Sequence, residues 1–167
     1  TGNPPYYLYR QGNSTTCLSP AGMLNRMGPD LTTGYVETCA DSQCLDCKFN
    51  ILICKKCDTS KGYYHDPASD TCISTSNMPK GYGAILSSVP AQGLVAGDVG
   101  TCRMANCDYC AKDVTVCTGC SDAKDLFLSI APQIACIPVT SIPAGFGGDR
   151  NTGRVAPCSQ KECKLCQ

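Results

Sequence analysis

The order of the cysteines constrains this chain more than any other feature of its sequence. Sixteen of the 167 residues are cysteines. The spacing C-x4-C-x2-C-x6-C-x2-C-x14-C begins at Cys39 and recurs from Cys102 with one extra residue before its last cysteine. A third copy begins at Cys158, and Cys17 stands where a sixth cysteine belongs. We therefore interpret the chain as a tandem array of a six-cysteine module with a period of roughly 56–63 residues.

The period predicts four parts. Residues 1–38 hold the end of a preceding module and an inter-module segment, and residues 39–101 hold a complete module and the segment after it. Residues 102–157 repeat that arrangement, and residues 158–167 begin a further module. Because natural domains seldom begin or end within a motif, we expect similar modules on both sides of this stretch.

The inter-module segments contain recurring turn signals. Each has proline, a small or basic residue and glycine, at 20–22, 79–81 and 143–145, which predicts a repeated turn. Each also has a glycine two residues before a valine, at 34–36, 93–95 and 153–155, as it approaches the next cysteine.

Glycine and proline are scattered along the chain, with 16 and 11 copies, so short ladders and turns are expected instead of long helices. Short paired strands are predicted around residues 49–53, 63–64, 114–116 and 126–128. The expected fold is small, disulfide-rich and mostly irregular with short β-hairpins, arranged as an elongated tandem array of cysteine-rich modules.

Composition excludes several classes of partner. Acidic and basic residues balance at 14 each, so there is no basic field to hold nucleic acid or an anionic membrane. No window approaches the roughly 18 apolar residues of a membrane span, so no membrane contact is expected in this segment. Cysteine at this density stays oxidised outside the cell, which predicts an extracellular or cell-surface location.

The cysteines are expected to replace a hydrophobic core. A disulfide that closes a loop of about 10–20 residues contributes on the order of 3 kcal/mol, so three would supply roughly 9 kcal/mol to each module. That sum is comparable to the net stability of a small domain. Six cysteines allow fifteen pairings, and the residues alone do not choose among them.

The cysteine spacing, with Gly62-Tyr63-Tyr64 before the last cysteine, resembles the furin-like cysteine-rich repeat of growth-factor receptors. It is more similar still to repeats of protist surface coats, the variant surface proteins and ciliate immobilisation antigens. That resemblance implies bonds between the first and third, second and fourth, and fifth and sixth cysteines. The implied pairs are Cys39–Cys47, Cys44–Cys54, Cys57–Cys72, Cys102–Cys110, Cys107–Cys117, Cys120–Cys136 and Cys158–Cys166. Cys17 and Cys163 are left unpaired or paired outside this stretch.

Zinc is the main chemical alternative. Cys44-x2-Cys47 followed by Cys54-x2-Cys57 supplies four thiolates, as tetrahedral zinc sites require. The six-residue gap is shorter than in a zinc ribbon, and two further cysteines in every module would have no role. Three disulfides use all six, so no metal and no cofactor is expected.

Catalysis has little support in the sequence. His65 is the only histidine and occurs in one module, so it is expected to be a solvated turn residue. Asp66 and Asp70 are expected to be solvated turn carboxylates. We therefore expect no enzymatic activity.

Asn13-Ser14-Thr15 is an N-glycosylation sequon in a polar turn before Cys17. The leading hypothesis is accordingly a non-enzymatic extracellular structural protein, a disulfide-stapled array that forms a cell-surface coat, rod or glycosylated filament. Its expected partners are copies of itself or adjoining modules, and attached glycans. A receptor or adhesin ectodomain that binds a ligand through inter-module loops is the alternative. An apolar patch confined to one module would favour binding, and equivalent contacts at every module boundary would favour an array.

Overall fold

The computed structural model describes residues 5–90, 93, 95–121, 124–130, 134–159 and 165–166. Its regular structure consists of short β-strands and 3-10 helices of three residues. The strands are β1 (Tyr7–Gln11), β2 (Ser14–Leu18), β3 (Met27–Pro29), β4 (Val36–Thr38), β5 (Cys44–Asp46), β6 (Lys56–Cys57), β7 (Tyr63–Asp66), β8 (Thr71–Ser74), β9 (Tyr82–Ala84), β10 (Val99–Thr101), β11 (Cys107–Tyr109), β12 (Gly119–Cys120), β13 (Leu126–Leu128), β14 (Cys136–Pro138), β15 (Phe146–Asp149), β16 (Arg154–Pro157) and β17 (Leu165–Cys166). The described 3-10 helices span Pro20–Gly22, Thr59–Lys61, Thr75–Asn77 and Val139–Ser141. The predicted small, disulfide-rich fold with short hairpins is confirmed.

Two kinds of two-stranded hairpin alternate along the chain. One kind carries the sixth cysteine of a module, and we call it the sixth-cysteine hairpin: β1/β2, β7/β8 and β13/β14. The other kind lies between modules, and we call it the inter-module hairpin: β3/β4, β9/β10 and β15/β16. Between them, the short ladders β5/β6 and β11/β12 place the second cysteine of a module opposite the fifth.

The register of the sixth-cysteine hairpins relates Cys17 to the two complete modules. Cys17 lies opposite Leu8, as Cys72 lies opposite His65 and Cys136 opposite Leu128. Cys17 therefore occupies the position of a sixth cysteine in the structure, as it does in the spacing.

Three of these hairpins close with the same five-residue turn, in residues 30–34, 66–70 and 149–153. The turn begins with aspartate, whose carbonyl accepts the N–H of the fifth residue at 2.8 Å in all three. The aspartate side chain accepts a second bond from the N–H of the third residue, at 2.9–3.0 Å. The fifth residue has a left-handed backbone, at Gly34, Asp70 and Gly153, which glycine and aspartate adopt more readily than most residues.

The repeated turn before each inter-module hairpin was predicted correctly in two segments and wrongly in the first. The amide N–H groups of Tyr82 and Phe146 bond to the carbonyls of Pro79 and Pro143, both at 3.1 Å. In the first segment the same bond joins Met27 to Leu24 at 3.2 Å, whereas residues 20–22 form a 3-10 helix instead. The proline–glycine pattern did not predict the turn at Leu24–Met27, because its left-handed position is occupied by Arg26, with φ of 65°, and not by glycine.

The strands predicted around residues 49–53 and 114–116 are also wrong, because these residues form turns. Asn50 and Asp113 accept hydrogen bonds from the backbone two residues later, at 2.9 and 2.8 Å, and this local bonding bends the chain. The backbone N–H groups of Ile51 and Val114 then bond to the preceding inter-module hairpin.

Contacts divide the chain into two compact units, Thr1–Asn77 with Val95–Val99, and Met78–Leu94 with Gly100–Gln167. The interior of the first unit is a cluster of buried cysteines, Cys39, Cys44, Cys47, Cys54 and Cys57. The second unit contains a similar cluster that also includes Leu128, and an apolar cluster formed by Phe127, Ile142 and Val155. We call the cysteine-lined interior of each unit its half-cystine cluster. The four parts defined by the sequence period stay a prediction.

One glycine in each inter-module hairpin touches a half-cystine. A Cβ added to Gly28, Gly83 or Gly147 would overlap the carbonyl oxygen of the third cysteine of the following module. It would also lie 2.6–2.9 Å from that cysteine's Sγ. These hairpins therefore approach the disulfides so closely that no side chain fits between them.

We predict that Gly28→Ala destabilises the first unit by about 1–3 kcal/mol, the usual range for overpacking a rigid site. The matched control is Gly22→Ala, because the nearest atoms to an added Cβ there are 3.8 and 3.9 Å away. Chemical denaturation with the disulfides intact measures both free energies of unfolding. Equal values for the two variants would show that the close approach to Cys47 does not matter.

Candidate functional site

The disulfides give the candidate site its geometry. Seven are present among the described residues, with Cα–Cα distances of 5.6–5.9 Å: Cys39–Cys47, Cys44–Cys54, Cys57–Cys72, Cys102–Cys110, Cys107–Cys117, Cys120–Cys136 and Cys158–Cys166. They are the same pairs that the furin-like resemblance implies. Cys17 is exposed and forms no disulfide with any cysteine that the structure describes. Cys163 lies outside the described residues.

Each complete module uses its last disulfide to attach a hairpin. The Cys57–Cys72 bond joins ladder β5/β6 to the sixth-cysteine hairpin β7/β8, and β6 packs against β7. Cys120–Cys136 joins β11/β12 to β13/β14 in the same way. Each half-cystine cluster therefore holds one hairpin by a covalent bond and the other through the glycine contact described above.

The cysteine sulfurs approach one another as closely as metal ligands do. The Sγ atoms of Cys54, Cys57 and Cys72 lie within 4.8 Å of one another. All three belong to disulfides, so none is the thiolate that zinc requires. The donor set in this structure therefore does not fit a zinc site.

A second contact recurs between the last hairpin of each module and the inter-module segment that follows it. The first strand of each sixth-cysteine hairpin forms a parallel bridge to the inter-module hairpin that follows it, and we call this contact the repeat joint. The bridged pairs are Leu8–Tyr35, His65–Asp98 and Leu128–Arg154. At each joint the backbone N–H of the first residue bonds to a glycine carbonyl, at 3.1, 2.8 and 2.9 Å respectively.

The glycines of the repeat joints are Gly34, Gly97 and Gly153, all with positive φ. The glycine–valine pattern in the sequence groups Gly93 with Gly34 and Gly153, but it is Gly97 that makes the equivalent bond. Gly97 could have been found from its distance to the next cysteine, because all three glycines lie five residues before the first cysteine of a module. The longer middle segment concealed that regularity.

The prediction for His65 is wrong, because this side chain is buried in β7 and is not a solvated turn residue. It occupies the position held by leucine in the other two hairpins. Its Nδ1 lies 2.9 Å from the Asp98 carboxylate and its Nε2 lies 3.3 Å from that of Asp70. The middle joint therefore adds polar side-chain contacts to the backbone bond.

Asp70 and Asp66 differ in their surroundings. Asp66 accepts the turn hydrogen bonds from the Ala68 N–H and the Ser69 hydroxyl. Asp70 is partly buried and forms a 2.6 Å ion pair with Lys55, so it is not simply a solvated turn carboxylate. The hydrogen bond from Lys55, followed by that from His65, holds the pKa of Asp70 below its usual value.

Two exposed apolar side chains of the first complete module have no apolar equivalent in the next module. Phe49 and Leu52 are 69% and 70% exposed. Phe49 borders an open, almost wholly apolar depression of about 290 Å³, whose other lining residues are Ser19, Pro20, Ala21 and Lys48. The equivalents of Phe49 and Leu52 in the next module are Lys112 and Thr115. This depression is called the Phe49 patch below, and Leu52 is the other exposed apolar residue between the third and fourth cysteines of the same module.

The sequon asparagine is placed where an attached glycan would meet solvent. Asn13 is exposed in the two-residue turn between β1 and β2, after Gly12, which has a left-handed φ of 61°. Ser14 and Thr15 are also exposed.

No protein-family model matches this chain, and no curated protein or solved structure matches it significantly. The abundance of disulfides is typical of extracellular proteins. In the described part of the chain, no helix is long and apolar enough to cross a bilayer.

We predict that Asp70→Asn lowers stability at neutral pH and that the gap from wild type narrows in acid. The usual pKa of aspartate is about 3.8, and that of folded Asp70 is lower. Ionised Asp70 therefore contributes its full stabilisation above the usual aspartate pKa. That contribution is lost as the pH falls through the lower pKa of the folded state. Denaturation curves collected from neutral pH to about pH 2 measure the gap.

The control for this series is Asp125→Asn, which removes an exposed carboxylate 3.7 Å from Arg150. The free energy of unfolding of this variant should differ little from that of wild type at every pH, since exposed ion pairs contribute little to stability. A gap for Asp70→Asn that is constant across the series would contradict a role for its ionised carboxylate.

Proposed function

We propose that this chain is a non-enzymatic extracellular structural protein in which a disulfide-stapled repeat array forms a cell-surface coat, rod or glycosylated filament. The observation that carries the proposal is the repeat joint. It occurs at equivalent positions after each sixth-cysteine hairpin, with the same backbone bond to a positive-φ glycine. A contact that belongs to every repeat can be continued with each added repeat, as in other solenoid and array proteins.

The half-cystine clusters support the same function through stability. Disulfides that close loops of 8–16 residues restrict the unfolded chain without a large hydrophobic core. Such a unit suits an exposed environment in which proteases are present and reductants are scarce. A glycan on Asn13 would cover the hairpin tip and add to that protection.

The cysteine register also supports the resemblance to furin-like repeats and to protist surface coats. Its support is limited to the repeat type, namely the order of the cysteines and the pairing that they adopt here. The proposed partners are copies of the chain or adjoining modules, together with attached glycans.

Immunolabelling of the source cells and negative-stain microscopy of the native material test this function together. Antibodies raised against the folded chain are expected to label intact, unpermeabilised cells, and the released protein is expected to appear as fibres or a regular layer. Antibodies against a cytosolic protein serve as the control, since they should label permeabilised cells alone. Labelling confined to the cell interior, or isolated compact particles in the micrographs, would refute the proposal.

The Phe49 patch favours a second candidate, a receptor or adhesin ectodomain. Its residues 19–21 belong to an inter-module segment, and its apolar character is absent from the equivalent positions of the next module. A surface that differs between repeats is better suited to a specific ligand than to a contact shared by all of them.

The double variant Phe49→Lys with Leu52→Thr separates the two candidates by giving the first module the residues of the second. If the patch binds a ligand, beads coated with the variant should adhere to cell layers about tenfold less than wild-type beads, the loss expected from removing an apolar anchor. Leu31→Thr is the control, because Leu31 is also exposed but lies outside the patch. Equal adhesion by all three proteins would remove the support for a binding role.

A further inference from the structure

One face of the hairpin β1/β2 is uncovered. Tyr6 precedes β1 and is 62% exposed, Leu8 is 38% exposed, and Cys17 is exposed on the paired strand. We call these three residues the Cys17 face. Apolar and sulfur-bearing side chains of this kind are usually covered when they lie together on a hairpin.

The same face is covered in both other sixth-cysteine hairpins. The equivalents of Tyr6 and Cys17 are Tyr63 and Cys72 in the first unit, and both pack against the half-cystine cluster of residues 39–57. In the second unit the equivalents, Leu126 and Cys136, pack against the cluster that contains Cys120.

The position of Leu8 shows the same difference. Its equivalents His65 and Leu128 are 8% and 2% exposed, compared with 38% for Leu8. Leu128 is itself a member of the half-cystine cluster of the second unit. In the second unit this position is therefore covered by the half-cystine cluster that comes immediately before the hairpin in sequence, and in the first unit the corresponding cluster packs against the neighbouring Tyr63 and Cys72.

We propose that the Cys17 face is a docking surface for the half-cystine cluster of a further repeat, which lies on the amino-terminal side of Tyr6 and bonds its fifth cysteine to Cys17. The inference rests on the proposed repeat array and identifies the partner of this hairpin. The partner has the spacing C-x4-C-x2-C-x6-C-x2-C, with its first four cysteines bonded in pairs and its fifth a thiol. The clusters of the two complete modules do not meet that description, because Cys57 and Cys120 are already bonded.

The bond forms by thiol–disulfide exchange with oxidised glutathione or an oxidoreductase disulfide. The Cys17 thiolate attacks that disulfide and releases one thiolate, and the thiolate of the fifth cysteine then attacks the mixed disulfide and releases the second. Two cysteine thiols are oxidised, the two electrons reduce the oxidant, and the two protons pass to its released thiolates.

A fusion protein tests the docking directly. The fusion begins with a copy of residues 39–62, which supplies a five-cysteine cluster and its connection to the next hairpin. It continues directly with residues 6–167 of the original chain. After refolding in a glutathione buffer, non-reducing peptide mapping should find Cys17 bonded to the fifth cysteine of the added cluster. Maleimide should then label Cys17 at least about tenfold more slowly than in the original chain, because a bonded cysteine has no thiolate.

Two controls accompany the fusion. Replacing the fifth cysteine of the added cluster by serine should restore rapid labelling of Cys17, and Leu8→Asp should lower the yield of the new disulfide. A fusion in which Cys17 stays reactive, or pairs with a second chain to form dimers, overturns the proposal.

Disulfide mapping of the protein isolated from its source identifies the partner of Cys17 without any refolding step. Cys17 should be bonded there to a cysteine that ends a C-x2-C pair upstream in the same polypeptide. Fibrous native material in which Cys17 is a free thiol would overturn the docking inference and leave the structural function intact. Conversely, a mapped Cys17 bond in non-fibrous material would refute the filament or layer but not the docking.

Discussion

The close packing of oxidised sulfur is the constraint on which the rest of this structure depends. In the first module five cysteines are buried to at least nine-tenths, and Cys47 is fully buried. A core this small leaves no room for a side chain at Gly28, so the inter-module hairpin rests on the backbone and sulfur of Cys47. The Cys57–Cys72 bond attaches the next hairpin on the other side. The cluster thus positions the hairpin that precedes it and the hairpin that follows it.

The repeat joint depends on the backbone, and this explains how its side chains differ. A leucine faces a tyrosine in the first joint, His65 faces Asp98 in the second, and a leucine faces Arg154 in the third. In each, the shared bond joins an N–H to a glycine carbonyl, which places no demand on the first side chain. Side-chain chemistry can therefore change from joint to joint, as the contacts of His65 with two carboxylates show.

This separation of a constant interior from a variable surface connects the two functional candidates. Disulfides and joints recur and are suited to a continuous array, whereas the Phe49 patch and the Asn13 sequon occur in single repeats. An array whose repeats share a scaffold can display different surfaces along its length without a cost to folding. The structural role is proposed first because it depends on the features that every repeat shares.

The spacing of the cysteines determined the repeat pattern and the place of Cys17 as a sixth cysteine, and together with the scattered glycines and prolines it predicted a disulfide-rich fold with short hairpins. Cysteines recur at fixed intervals in the sequence because each disulfide requires its two cysteines to lie at set positions in the fold. The tertiary structure decided the burial of His65, the left-handed turn at Arg26 and the joint at Gly97. Backbone hydrogen bonds and φ angles can be satisfied by several residue types, so residue identity did not predict the turn at Arg26 or the burial of His65. The five-residue distance from Gly97 to Cys102 could be recognised only once the bond from His65 to Gly97 was known.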